Sequence, residues 1–435
     1  MKSTNPWFWV PTLYFAEGIP YFIVNVISVT MFKRLGMSNG DLAMYTSLLY
    51  LPWVIKPLWS PFVDIIRTKR WWILAMQVLM TAGFAALALS VSPDAFGWSL
   101  VFFYIVAFAS ATHDIAADGY YMIALDKTRQ SVFVGIRSTF YRIASVFGQG
   151  VIVVIAGLLE TRGGDIPHAW KLTLLLSAAL FALLTLWHFR ALPRPETACL
   201  PDNGQESATD SNAADGLQAG KQTAGSILKD FGRAWATFFQ KPGIWLAIAF
   251  MLLYRLPEAF SVKMLTPFLL DPVDAGGLGL STAQSGLVYG TVGVIALTIG
   301  GILGGLFAAR KGLAGSMWPM SLSLALPCAV YLFMAAVQPA QLWIVYACVA
   351  FDQFGYGFGF TAYMLYMMHF SEGSFKTSHY AICTAFMALS MMLPGLFAGW
   401  MQEALGYTGF FIVVMICCSA TIFVTLLAQR RLSSE

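Results

Sequence analysis

Charge is what this chain has least of. Of its 435 residues 11% are charged and 58% hydrophobic, where an ordinary soluble domain is about 25% charged. So little polar surface cannot clothe a water-soluble globule. Cysteine is scarce too, with six residues, five of them (Cys328, Cys348, Cys383, Cys417, Cys418) in or near apolar stretches and Cys199 in a polar segment. They make no spaced framework and read as small apolar side chains. Metal-ligand spacings and nucleophile motifs are missing: His369, Ser371, Glu372 and His379 gather without either pattern. No metal, no cofactor and no enzymatic activity are therefore expected.

What the chain does have is apolar length. Runs of 18 or more apolar residues recur, each long enough to cross a hydrocarbon core about 30 Å thick. About twelve spans are expected, near 8–31, 42–62, 71–92, 98–124, 132–159, 169–190, 244–270, 282–309, 314–337, 341–370, 379–402 and 408–428. Backbone groups in lipid must bond internally, and the ten-residue alternation of a barrel is not visible, so these are helices. The first run is full length and lacks an A-x-A-like exit, so no cleavable signal peptide is expected. With the N-terminus inside, seventeen basic residues fall on inner loops and four (Lys33, Arg34, Arg162, Lys171) on outer ones. That bias puts both termini in the cytoplasm and accounts for the net charge of +4 without nucleic acid.

The organisation is six spans in residues 1–190, a cytoplasmic linker in 191–243 and six spans in 244–435. Residues 195–225 have the composition of a disordered tether. Beyond it Ile227, Phe231, Trp235, Phe238 and Phe239 share one helical face, which suits a helix lying in the inner interface. The halves also echo each other. Tyr14, Glu17 and Pro20 correspond to Tyr254, Glu258 and Pro257, and "SPFVDIIRTKRWW" to "GGLFAARKGLAGS". This layout resembles major facilitator transporters, which implies an all-α fold of two six-helix bundles with a midplane site. Asp64, followed by Arg67, Lys69 and Arg70, resembles the facilitator signature, with Ser60 where glycine is usual. Asp64, Arg67 and Arg70 are thus expected to latch helix ends in one state and release them in the other.

Several ionisable residues fall inside the spans, where a charge costs several kcal/mol unless it is paired or wet. Residues equidistant from a hairpin turn lie at similar depth. That arithmetic levels Glu17 with Lys56, Asp114 with Arg142 and Asp118 with Arg137. Asp114 and Asp118 are i, i+4 and share a face. Arg255 and Glu258 sit mid-span in the seventh crossing, Lys263 nearer the outside, and Asp352 with Gln353 in the tenth. Two readings stand: ion pairs that fix helix register, or carboxyls that take up a proton when their cationic partners are displaced. Glu17, Asp114 and Asp118 are the candidate carriers. Tyr14, Tyr21, Trp53, Tyr121 and Tyr141, with Arg255, Glu258, Asp352 and Gln353, are candidate substrate contacts: rings suit sugar faces, and bases suit carboxylates.

"LYFAEGIPY", "LPWVIKPLWSPFVD", "THDIAADGYY", "FYRIASVFGQG" and "CTAFMALSMMLPGLFAGWMQEALGYTGFF" together resemble AmpG-type muropeptide permeases through nearly all the spans. The resemblance implies a monomeric importer in a bacterial inner membrane, driven by a proton gradient, whose cargo is an amino-sugar peptide. It extends to acetyl-coenzyme A carriers and siderophore permeases, so another solute stays open as cargo, as does drug efflux, with a membrane-embedded enzyme or a sensor as the remote alternative. By the same resemblance Glu17, Gly18, Pro20, Asp114, Asp118 and Arg142 occupy positions that matter. His113 stands where glutamine is usual and Gly119 where alanine is frequent. His113 beside Asp114 adds a group that titrates near neutral pH, or else is a hydrogen-bonded core histidine.

Overall fold

The computed structural model describes residues 5–194, 224–373 and 375–433, and among these there are helices and turns but no strand. Helices satisfy every backbone group locally, which lipid demands. Span 1 runs Pro6–Arg34, and span 2 is a pair of helices, Asn39–Leu48 and Leu51–Ile65, offset just before Pro52. Spans 3 and 4 are Lys69–Leu89 and Phe96–Ala124. Span 5 joins Lys127–Val146 to Ile152–Gly163 through a wide π turn at Phe147–Val151, and span 6 is Ile166–Ala191.

A separate helix, Ala224–Phe239, precedes span 7, which is itself broken between Ile244–Leu253 and Leu256–Leu270 ahead of Pro257. Span 8 starts at Thr282 and reverses at Gly312 into span 9, which ends at Val337. Span 10 is Leu342–Phe370, and Lys376–Leu432 folds back at Gly406 into spans 11 and 12. Gly312 and Gly406 have φ of 70° and 68°, left-handed values that a side chain would strain. Among the described residues the expected all-α architecture is observed, its helices grouping into twelve spans.

Each half buries its own core. Spans 1 to 6 enclose Ile19, Phe32, Phe84, Phe103 and Phe181; spans 7 to 12 enclose Phe268, Tyr331, Phe410 and Phe411. Leu183, Trp245, Ile302 and Phe423 stay exposed on the perimeter, where apolar side chains meet lipid. The Ala224–Phe239 helix buries Phe238 against Phe370, His379 and Phe386, whereas Phe239 remains exposed. The tether at 195–223 and the Ile227 side chain lie outside the described residues.

Both described chain ends lie on one face of the molecule, because the number of crossings is even. At the opposite face the halves are sealed together. Lys33 pairs with Asp271 at 2.5 Å, and Asn39 donates to Asp271, Gln402 and Tyr407 at 3.1, 2.7 and 3.1 Å. Glu403 accepts the Gly40 N–H at 2.7 Å. Glu160 accepts from Arg34, from Trp170 and, across the seam, from Thr282 at 2.6 Å.

Backbones touch beneath this polar cap. A Cβ added at Gly399 would stand 1.8 Å from the Asn39 carbonyl, and one at Gly157 would stand 2.3 Å from the Ala283 nitrogen. Apolar burial gives helices no drive to associate in lipid, so close backbone approach and hydrogen bonds must hold this end shut.

The seal yields a test. Gly399→Trp is expected to wedge the sealed end open. Labelling of a Thr46→Cys thiol by an impermeant reagent applied from that side should then rise at least about tenfold, because no indole fits a 1.8 Å gap. Unchanged labelling would show that the seal is not a moving part.

Candidate coupling site between the bundles

Why does span 1 carry a glutamate in its middle? Pro20 lies three residues further on, and Ile23–Ile27 follows as a π turn, so the helix around Glu17 is locally irregular. Asn25 covers part of the defect by donating to the Tyr21 carbonyl at 3.0 Å. Glu17 is buried, and its Oε2 has no hydrogen-bond partner among the described residues.

Around it stands a cluster from four spans. Carboxylate oxygens of Glu17, Asp114 and Asp118 lie within 4.8 Å of one another. Lys56 of span 2 donates to Asp114, and Arg137 of span 5 pairs with Asp118 at 2.9 Å. Tyr14 donates to Asp118 at 3.2 Å, and the Arg137 guanidinium lies over the Tyr14 and Tyr121 rings at 4.6 and 5.6 Å. Three acids thus face two bases, and Glu17 is the acid without a base. The Asp114 and Asp118 side chains are 23% and 38% exposed. With the far end sealed, that access opens from the face of the chain ends.

The depth arithmetic brought the right residues together but assigned two pairs wrongly. Asp118 meets Arg137 as expected. Lys56, however, bonds Asp114 and not Glu17, because the offset at Leu49–Tyr50 and Pro57 inside the helix turn span 2 toward span 4. Arg142 does not pair with Asp114 either. Five residues past Arg137, it lies on another face of span 5, with Nη2 3.4 Å from where a Cβ on Gly301 would sit in the other half. No described carboxylate pairs with it. His113 also leaves the cluster: its Nε2 meets Gln77 at 3.0 Å, Gln77 meets His188, and His188 meets Thr12. That buried chain ties spans 1, 3, 4 and 6 together.

In the second half Arg255 pairs with Glu258 at 3.0 Å and donates to the Tyr356 hydroxyl at 2.8 Å. Asp352 accepts from Tyr331 at 2.6 Å and from Gln353 at 3.0 Å, which commits it to its own bundle. Tyr21 packs edge-on to Trp53 at 5.1 Å, and Tyr141 packs on Phe22. Arg70 donates to the Phe189 and Leu192 carbonyls, and Arg67 sits over the Trp71 ring. The side chain of Asp64, the acid of the expected latch, lies outside the described residues. The seal residues Asn39, Glu160, Asp271, Gln402 and Tyr407 were not anticipated, because polar residues at or near span ends look like solvated loop.

A discontinuous, charge-bearing centre between two six-helix bundles defines a secondary transporter, and comparison with known proteins agrees. Residues 12–378 match the family model of the Major Facilitator Superfamily, and the chain belongs to that superfamily. The anhydromuropeptide permease of Escherichia coli K12 is 24% identical over 427 residues, covering 97% of this chain and 79% of its own length. The resemblance to AmpG-type permeases is thereby borne out. Among solved structures, an inward-facing, unoccupied bacterial homologue of the human lysosomal transporter Spinster superposes with a TM-score of 0.71 at 15% identity, covering 99% of this chain and 98% of that one. A D-xylose–proton symporter gives 0.70 at 12% identity, with 98% and 97% covered. These two share the fold.

If the Lys56–Asp114 pair is structural support for the site, breaking one side costs more than removing both. Lys56→Met is expected to destabilise the detergent-solubilised protein by about 1–3 kcal/mol. Lys56→Met with Asp114→Asn should restore more than half of the lost melting temperature. Additive losses would show that the two side chains act independently.

Proposed function

We propose that this protein imports anhydromuropeptides across a bacterial inner membrane by alternating access, driven by one exchangeable proton. The observation that carries the coupling is the charge count of the central cluster: three carboxyls, two bases, and Glu17 as the acid without one. An uncompensated charge in a low-dielectric site is expensive, so Glu17 takes a proton whenever the cluster is closed from water. When Glu17 is deprotonated it competes with Asp114 and Asp118 for Lys56 and Arg137. Proton loss therefore loosens pairs on four spans at once.

The cargo acts on the same site from the other side. Arg142, next to the Gly301 backbone of the second half, can take a cargo carboxylate, while Tyr21, Trp53, Tyr141 and Tyr356 offer ring faces and hydroxyls to the sugars. Occupancy then pulls the halves together on the side of the chain ends and strains the far seal. Residues 1–190 and 244–435 are the two moving units, with 191–243 as the link. The excess of basic residues on the loops around the chain ends puts those ends in the cytoplasm, which makes the far seal periplasmic. Inward movement of one proton charge is worth about 2.3 kcal/mol per 100 mV; a cargo carboxylate moving with it cancels that electrical part, so accumulation of a singly charged cargo draws on the pH gradient. The reading needs one chain, a bilayer and a proton gradient, and no cofactor.

The test is uptake of labelled anhydromuropeptide into vesicles under an imposed pH gradient. Wild type should accumulate it, whereas Glu17→Gln should lose gradient-driven accumulation by about a hundredfold yet keep exchange of cargo at equal pH. Asp114→Asn should lose both. Accumulation by Glu17→Gln at the wild-type level would remove Glu17 from coupling. Failure of wild type to take up the muropeptide would remove the cargo.

A further inference from the structure

One buried cation plays no part in the cycle above. Lys263, in the outer half of span 7, is 5% exposed, and no described carboxylate pairs with it. Its contacts come from the other half of the protein. The ammonium donates to the Thr46 hydroxyl of span 2 at 3.1 Å and lies 5.4 Å above the Tyr50 ring. Thr46 in turn donates to the Leu42 carbonyl at 2.6 Å, so its oxygen is free to accept. The neighbourhood is otherwise apolar: Tyr50, Ala259, Met391 and Met392 form one small cluster. Two further hydroxyls on the same helices, Ser47 and Ser261, are buried without a partner among the described residues.

A lone ammonium in such a place costs several kcal/mol relative to a methionine of similar length. Elsewhere in this protein Lys33, Lys56, Arg137 and Arg255 answer that cost with a carboxylate. Lys263 answers it with a hydroxyl and a ring that belong to the opposite bundle, on the side of the far seal. Its environment therefore exists only while that seal is closed. Parting the bundles there withdraws Thr46, Ser47 and Tyr50 together and leaves a bare ammonium at the mouth of the opening cleft.

We propose that Lys263 is the group that first captures the cargo, binding its carboxylate in the outward-open state and selecting anionic over neutral solutes. On closure Thr46 and Tyr50 displace the carboxylate from Lys263, and the cargo passes toward Arg142. Lys263 thus sets specificity on entry. The inference rests on the import reading above.

The experiment uses the purified full chain carrying Gly399→Trp to hold the outer end open, with calorimetric binding of four probes: an anhydromuropeptide, its carboxamide, an N-acyl tripeptide carboxylate and that peptide's carboxamide. The carboxylates are expected to bind at least about tenfold more weakly when Lys263→Met is added, the loss of one charge-assisted hydrogen bond. The carboxamides should be unaffected, and Lys263→Arg should recover most of the affinity. As a readout independent of the wedge, Lys263→Met should raise the KM for uptake by the Gly399 protein about tenfold with kcat nearly unchanged.

Equal affinities with and without Lys263, or equal losses for acid and amide, overturn the proposal and leave the import reading standing. Lys263-dependent binding of the peptide carboxylate, with no binding of the muropeptide, supports the proposal and removes the muropeptide as cargo.

Discussion

An ion in a low-dielectric interior must be paired or reach water, and the placement of nearly every functional residue here follows from that constraint. The pairs fall into two kinds. Lys56–Asp114, Arg137–Asp118 and Arg255–Glu258 each lie within one half, so relative motion of the halves leaves them intact. Lys33–Asp271 and the hydrogen bonds of Asn39 and Thr282 cross between halves, so the same motion breaks them. Among the described in-span residues Glu17, Arg142, Lys263 and Asp352 have no ionic partner; Asp352 is held by hydroxyl and amide inside its own bundle, whereas Arg142 and Lys263 meet the opposite half. A bond inside a bundle is scaffold, and a bond between bundles is a switch.

The packing has to be compatible with a switch. At lipid-facing surfaces no hydrophobic term favours one helix contact over another, because a leucine is as well solvated by acyl chains as by another helix. The far end is held by backbone approach at glycines and by polar contacts, which are short-ranged and lost together on separation. Such an interface has two states and few intermediates, which is what alternating access requires. The π turns at Ile23–Ile27, Phe147–Val151 and Gly286–Gly293 lie in spans 1, 5 and 8, and the latter two pack directly on each other at the seam. Wide turns leave backbone groups loosely bonded, so these spans bend more cheaply than regular helix.

Much of this was legible in the sequence, and the limits have a geometric cause. Hydropathy locates spans because lipid imposes length, and distance from a turn locates depth because helices rise uniformly. Depth levelled Glu17 with Lys56 and Asp118 with Arg137, all four members of the cluster, but set Asp114 level with Arg142. It carries no information on azimuth, which decided that Lys56 meets Asp114 and that Arg142 looks across to Gly301. Prolines and the offset in span 2 rotate a helix about its axis by amounts no residue count gives. His113 leaves the cluster for a similar reason: its neighbour in sequence is Asp114, but consecutive helical residues point about 100° apart, and Gln77 lies on that side. The seal escaped notice because Asn39, Asp271 and Gln402 are ordinary loop-end residues until the second half is brought against the first.

The same charge logic limits how many protons the proposed cycle moves. With Lys56 and Arg137 each committed to an aspartate, neutrality of the cluster needs one proton, held by Glu17. A second proton would have to sit on Asp114 or Asp118, which would strip a buried base of its counter-charge and cost several kcal/mol. That exceeds the roughly 2.3 kcal/mol that 100 mV returns for one charge. Two protons per cycle would therefore require the cargo itself to supply an anion to the orphaned base at the same moment. Lys56 and Arg137 are already bonded across their own bundle, whereas Arg142 and Lys263 face the seam with no carboxylate of their own. In the proposed cycle the cargo's negative charge is drawn to those two, and one proton suffices.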